Sequence, residues 1–150
     1  MAASTANAAF GTLFKFTTSG LTTVALVTSV NGFGISATSQ DVTHMESPSN
    51  FREFIKTVLD GGTVDLSLTY DPDLTIHANL LDATYGIRAN NTVGIAPTNP
   101  YMRACTIIMP DGIDFSFNAF VLSFTVDAPV DGTLTARASF KVSGAVADVA

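Results

Sequence analysis

The sequence predicts a mainly β protein: antiparallel sheets in a β-sandwich or barrel-like arrangement, with one or two short flanking α-helices. Three observations carry this. The segments Thr63–Tyr70 and Thr133–Ser143 alternate apolar and polar residues with a period of two, as strands with one wet face do. Pro110-Asp111-Gly112, a hairpin turn signal, joins the apolar runs Tyr101–Met109 and Ile113–Val126. Only two stretches keep helical spacing, Phe51–Val58 and Leu74–Thr84, and both are short.

Each element has a local reason. In Phe10–Phe16, Phe10, Phe14 and Phe16 share one side, with Leu13 and Lys15 on the other. Thr22–Val30 is rich in β-branched residues and ends at Asn31-Gly32, a turn dipeptide, while Ser19-Gly20 turns between these two strands. Gly34–Ser39 adds a short strand. Gln40–Ser49 is polar, contains Pro48 and reads as a loop that is either ordered by itself or held by a partner. Asn50 then stands at an N-cap position, with Glu53 able to reach back to its amide. Phe51, Phe54, Ile55 and Val58 form the packing face of a helix that Gly61 ends. So short a helix has to be held by packing that face on a sheet.

From Thr63 the period becomes two. Val64, Leu66, Leu68 and Tyr70 face one way; Thr63, Asp65, Ser67 and Thr69 face the other. Asp71-Pro72-Asp73 stops the strand and leads into a helix with Leu74, His77, Leu80, Leu81 and Thr84 along one side, ending at Gly86. Arg88–Pro100, with Asn90-Asn91, Pro97 and Pro100, is mainly loop. The strand after the hairpin is apolar on both sides: Phe115, Phe117, Ala119 and Val121 oppose Phe120, Leu122, Phe124 and Val126. It has to be covered twice, the second time either by a helix of the same chain or by a neighbouring subunit.

The 150 residues make a single domain, able to bury roughly 68–70% of the surface of the unfolded chain. The composition is 47% hydrophobic and only 13% charged, about half the usual charge. Either the Ala/Val/Phe core is large, or much of the surface is buried against other subunits. No apolar run reaches the ~18–20 residues of a membrane helix. A net charge of -6, with seven scattered cations, argues against a grip on nucleic acid. A solitary Cys105 makes no internal disulfide. The start MAASTANAA has no basic residue and no apolar h-region, so it is not a signal peptide. Residues 1–8 are expected to form a flexible arm that a partner orders.

Catalytic chemistry is missing from the pattern. His44, His77 and Cys105 do not make a zinc set, and no cofactor or metal is expected. Cys105 stands among apolar neighbours as an inert thiol. No nucleophile elbow, P-loop or dinucleotide fingerprint occurs. Asp71, Asp73, Asp111, Asp114, Asp127 and Asp131 gather at turns, where Asp is a turn former. A sugar cleft normally offers aromatic platforms, and the chain has no Trp.

One succession of parts is distinctive: VTHMESPSNFREFIKTVLDGGTVDLSLTYDP, a Leu-rich helix, the hairpin IIMPDGIDFSFNAFVLSF and a closing DGTLTARASFKVSG. It resembles the tail tube proteins of long-tailed phages over about Val24–Gly144, through the order of parts more than any single motif. The resemblance implies a virion tail protein, made in the host cytoplasm, whose hexameric rings stack into a hollow tube. Double-stranded DNA passes through without specific binding. The implied partners are further copies, a tape-measure protein, a tail terminator and a distal initiator, with no membrane. By the same resemblance Gln40, Asp41, Val42, Thr43, His44, Met45, Glu46, Ser47, Pro48 and Ser49 contact neighbouring subunits or the next ring. The lumen is lined by a polar strand face: Thr63, Asp65, Ser67 and Thr69, or else Thr135, Arg137, Ser139 and Lys141. Two alternatives stay open. One is the tube of a contractile tail or secretion system; the other is a virion decoration or carbohydrate-binding β-sandwich.

Overall fold

The computed structural model describes residues 10–17, 20–82, 102–110 and 112–149. Seven strands form one antiparallel sheet: β1 Leu13–Thr17, β2 Leu21–Thr23, β3 Val27–Asp41, β4 Phe54–Thr69, β5 Arg103–Ile108, β6 Asp114–Asp127 and β7 Thr135–Val149. Their order across the sheet is β2-β1-β5-β6-β7-β4-β3. Among the described residues one α-helix, α1 Thr75–Leu81, follows β4. Residues 1–8, the helix end at Thr84–Gly86 and the loop Arg88–Pro100 lie outside the described residues.

The sheet is rolled. Strands lie about 4.8 Å apart, so β1 and β7, three steps apart, would stand roughly 14 Å from each other in a flat sheet. Yet the rings of Phe14 and Phe16 in β1 meet that of Phe140 in β7, with centroids 5.1 and 5.7 Å apart. Phe33 of β3 likewise meets Phe115 and Phe117 of β6, at 4.9 and 5.8 Å. The concave side holds one core: Phe14, Phe16, Val64, Leu66, Leu68, Cys105, Ile107, Phe117 and Phe140 are buried in it. On β4 and β7 the sequence alternation is realised directly, with Val64↔Phe140, Leu66↔Ala138 and Leu68↔Ala136 paired across the strands.

Helix α1 closes one end of the roll with Ile76, His77 and Leu80 buried. An Asx turn starts it, the Asp73 amide donating to Asp71 Oδ1 at 3.0 Å. His77 is fully buried. Its Nε2 lies 2.9 Å from the Ala25 carbonyl, and its Nδ1 lies 3.1 Å from the donating Asp71 amide. One imidazole therefore ties α1 to the end of β4 and to the β2–β3 turn, and satisfies backbone groups that burial would otherwise strand.

Three expectations are corrected. First, Phe51, Phe54, Ile55 and Val58 do not pack as a helix. Residues 54–60 belong to β4 and pair with β3 from Asp41↔Phe54 to Ser36↔Asp60. All four of these apolar residues are exposed. The stretch FIKTVL satisfies helical spacing, but it is also aromatic and β-branched, and ready-made pairing with β3 outweighs a short helix without a docking face. Asn50 is not an N-cap: with Ser49 it takes positive φ, near +60°, and turns the chain. Gly61 ends nothing. It lies in β4 so close to β7 that a Cβ would stand 2.5 Å from Val142 Cγ1, and the positive φ falls on Gly62.

Second, Asn31-Gly32 does not end a strand. β3 runs straight through it, with Gly32 at φ +79 beside a register shift in the β3–β4 ladder. Third, β6 is not apolar on both sides along its whole length: Phe120 keeps an outward place opposite Lys141, but the residues after it do not follow. A bulge between Val121 and Ser123 shifts the register, so Phe124 pairs with Ala138 and Val126 with Ala136, on the same side as Val121↔Phe140. Phe124 packs on the core and meets the Tyr70 ring edge-on at 5.9 Å. Ser123, Thr125 and Asp127 are turned outward by the same extra residue. The bulge itself, Leu122, stays 47% exposed.

This register makes unequal demands on two residues that simple alternation would place together. Phe124→Ala is expected to cost about 2–3 kcal/mol in chemical denaturation, below the full core value because Phe124 is only partly buried. Leu122→Ala is expected to stay within about 0.5 kcal/mol. Equal losses would remove the bulge from the account of this face.

Candidate assembly surfaces

The first surface is an arm. β4 pairs with β7 only from Thr63 to Thr69, so Phe54–Gly62 has β3 as its ladder partner. Asp60, at the root, is pinned: its carboxylate takes Lys141 Nζ at 2.9 and 3.1 Å and the Gly62 amide at 2.8 Å. The Lys141 hydrogen bond first, then the Gly62 amide and the Lys141 charge, hold Asp60 below the ordinary carboxylate range. Beyond that root the two-stranded ribbon is greasy on both faces. Phe54 and Ile55 are neighbours in the strand and point to opposite sides, yet they are 56% and 51% exposed; Val58 is 73% exposed. Ile35 and Leu59 add to the same open surface. A bare two-stranded ribbon is marginal in water, and this one offers apolar area without cover from its own chain.

At the end of the arm lies the loop singled out in the sequence. Gln40 and Asp41 are the last residues of β3, and Pro48–Asn50 form a 3-10 turn. The tip is ordered by its own side chains. Asp41 Oδ1 accepts the Thr43 amide at 2.9 Å and also the Thr43 hydroxyl, and that hydroxyl oxygen accepts the Glu53 amide at 2.9 Å. Ser47 Oγ accepts the His44 amide at 3.0 Å, donates to Glu53 Oε2 at 2.8 Å and lies 2.8 Å from His44 Nδ1. Glu53, expected to cap a helix, instead knots the tip. Met45 and Phe51 stand out from it, 102% and 75% exposed.

The second surface is the convex face of β6, β7, β4 and β3. Here the two candidate linings merge. Thr63↔Lys141, Asp65↔Ser139, Ser67↔Arg137 and Thr69↔Thr135 are cross-strand pairs on one face. The β6 bulge adds Ser123, Thr125 and Asp127; Ser29 and Asn31 of β3 pair with Ser67 and Asp65 on the other flank. Apart from Phe120 opposite Lys141, the face is mostly hydroxyl and amide. Lys141 is paired with Asp60, and Asp65 accepts a hydrogen bond from Ser139. A shallow groove crosses it along Asn31, Asp65, Ser67, Arg137 and Ser139. Sequence reasoning missed the arm and the outward turn of Ser123 and Thr125; the β-branched run in residues 54–60 was the available signal for the arm.

Among the described residues no group of three or more His, Cys, Asp or Glu is placed to hold a metal ion. Burial pushes the Cys105 thiol up to about 12. No described helix is long and apolar enough to cross a membrane.

What these surfaces define is a class: a rolled antiparallel sheet with one end helix, one polar face and a long apolar arm. No protein-family model and no curated protein matches the sequence. Solved structures do share the fold. A chain in the C6-symmetric tail of an empty gene transfer agent particle superposes with a TM-score of 0.69 at 18% identity, over 97% of this chain and 100% of that one. A chain in the sheath/tube terminator of the PVC extracellular contractile injection system gives 0.71 at 15% identity, over 99% and 100%. A chain of the SPP1 tail tube gives 0.59 at 10% identity, over 91% and 75%. At such identities the likeness is one of fold.

The tip makes a pH-dependent claim. Hydrogen bonds from the Thr43 hydroxyl, then from its amide, hold the Asp41 carboxyl below its usual range. A depressed carboxylate supports the ordered tip above its unfolded pKa, and that support is lost as pH falls through the folded value. The Thr43 amide resonance is therefore expected to move toward its random-coil position below about pH 4, and Asp41→Ala to place it there at neutral pH. An unmoved resonance in both experiments would break the network as drawn.

Proposed function

We propose that this chain is a non-catalytic tail tube subunit. Copies close into rings, six to a ring, and the rings stack into a hollow virion tail that delivers double-stranded DNA. The observation that carries this reading is the arm: an ordered ribbon, apolar on both faces and bare on both, in a chain with only 13% charged residues. Such area is stable in water only when covered, and identical copies joined head to tail supply the cover. An interface of that kind closes into a ring, and stacked rings give a tube. The fold likeness to tail and tube chains supports the same conclusion.

The division of labour follows from the two surfaces. The arm, with Gln40–Ser49 at its end, contacts neighbouring subunits and the next ring. The convex hydroxyl face, with Thr63, Asp65, Ser67 and Thr69 paired to Thr135, Arg137, Ser139 and Lys141, lines the bore. With cations few and mostly balanced, that lining does not collect counterions or phosphates, so DNA slides along it. The remaining partners are those a tube of fixed length requires: a tape-measure protein within, a terminator at one end and an initiator at the other. A contractile-system tube is the second reading, favoured by the match to the injection-system chain. Co-purification with a sheath protein separates the two.

Electron microscopy of the purified protein tests assembly directly: rings or tubes are expected, and a monodisperse monomer in every condition would sink the proposal. Replacing Gln40–Ser49 by a short Gly/Ser linker is expected to leave a folded domain, with unchanged thermal unfolding, that no longer polymerises; normal tubes from that variant would strip the loop of its role. Asp65→Lys is expected to assemble normally but slow DNA ejection, and wild-type ejection kinetics would take Asp65 out of the bore.

A further inference from the structure

Nothing in the tube reading calls for His77, yet it is fully buried and both of its ring nitrogens are engaged with backbone. The Nε2 contact fixes one proton. A carbonyl oxygen only accepts, and that of Ala25 stands 2.9 Å away, so Nε2 carries hydrogen. Nδ1 is different. The amide nitrogen and the carbonyl oxygen of one residue, Asp71, both lie within its reach, at 3.1 and 3.2 Å. A bare Nδ1 accepts from the amide, whereas a protonated Nδ1 donates to the carbonyl. That carbonyl already accepts the Leu74 amide at 3.2 Å and has a second lone pair for the ring. A purely structural partner here needs one donor and one acceptor, which a glutamine supplies. Only an imidazole adds a choice that depends on a proton.

The surroundings suit the charged ring as well as the neutral one. The Tyr70 ring is stacked on His77, with centroids 5.8 Å apart and planes 18° from parallel, within the range at which an aromatic face attracts a cation. The connection and helix, residues 71–82, bring Asp71, Asp73 and Asp82 and no Lys or Arg. The β2–β3 turn, 24–27, has no titratable side chain. β6 turns Phe124 toward Tyr70, and the β6–β7 turn carries Asp127 and Asp131 without a cation. Each N–H of a charged ring has a carbonyl to donate to, so burial does not leave the charge bare.

We propose that His77 is an acid-operated latch on the end of the roll. Neutral, it holds the Ala25 carbonyl and the Asp71 amide. As the pH falls and the ring takes up its second proton, it keeps Ala25 and turns Nδ1 from that amide to the Asp71 carbonyl. The Ala25 bond is common to both positions, so α1 stays docked. What changes is the peptide between Tyr70 and Asp71, whose neighbours are anchored: the Tyr70 amide donates to the Leu134 carbonyl and the Asp73 amide to Asp71 Oδ1. The latch therefore resets the link from β4 to α1 without releasing either element. It is independent of the tube reading.

The test is a titration of full-length protein by magic-angle-spinning NMR, which reads monomer and polymer alike. The sequence has two histidines, so His44→Gln leaves His77 as the chain's only imidazole. At about pH 8 the ring is expected to be neutral, with hydrogen on Nε2 and none on Nδ1. Between about pH 8 and pH 5, above the range in which ordinary Asp carboxyls titrate, the Nδ1 resonance is expected to move to its protonated position. In the same step the Asp71 amide proton is expected to shift upfield and the Asp71 carbonyl carbon downfield, with Ile76 and Leu80 unmoved. In His77→Gln both Asp71 signals are expected to stay fixed over this range; should that variant not fold, the titration with His77 intact decides alone. A neutral ring protonated on Nδ1, a ring still neutral at about pH 5, an Asp71 peptide that does not follow the ring, or loss of the α1 signals in the same step would each overturn the latch.

Discussion

A strand cannot choose its two faces independently: every residue given to the core hands its neighbour to the outside. This constraint governs the whole roll, and the bulge between Val121 and Ser123 is where the chain manages it. Read with strict alternation, β6 would send Phe124 and Val126 into water and Ser123 and Thr125 into the core. One extra residue reverses both assignments at once. It sends Phe124 to Tyr70 and the core, and beyond Phe120 it extends the polar face of β7 and β4 onto β6. The packed side and the wet side are two readings of one register.

The same economy is not extended to the arm. There β3 and β4 have each other and, past the Asp60–Lys141 pin, no third strand to lean on. Hydrogen bonds along the ribbon satisfy its backbone, but its side chains are covered on neither face. Much of the exposed apolar area thus has a specific location, the protruding ribbon, while the core is a single cluster on the concave side. The hydrogen bonds at the tip hold the end of that ribbon in one shape.

Legibility from sequence followed the number of competing patterns at each place. The alternation of Thr63–Tyr70 and Thr133–Ser143 was legible because period two was unrivalled there, although β4 starts earlier, at Phe54, and β7 runs from Thr135 to Val149. Asp71-Pro72-Asp73 marked both the end of β4 and the entry to α1. Phe51–Val58 misled because the same apolar positions suit a helix and a strand. The decisive fact, a partner strand lying alongside, was hidden by Asn31-Gly32, which broke β3 into apparent fragments. Turn chemistry and bulge chemistry use the same residues, and a local window does not tell them apart. That both polar faces would prove to be one face was equally out of reach, since it depends on which strands are neighbours.

The strand order has a consequence for synthesis. β4 lies between β3, made just before it, and β7, the last of the seven described strands to be made. The β3–β4 ribbon is local and forms early, whereas the pairing that buries Val64, Leu66 and Leu68 waits for the C-terminus. During translation the nascent chain therefore carries its stickiest hairpin fully formed with its inner side also uncovered. Exposed apolar surface and an unpaired strand edge make such an intermediate prone to aggregate until the last pairing forms.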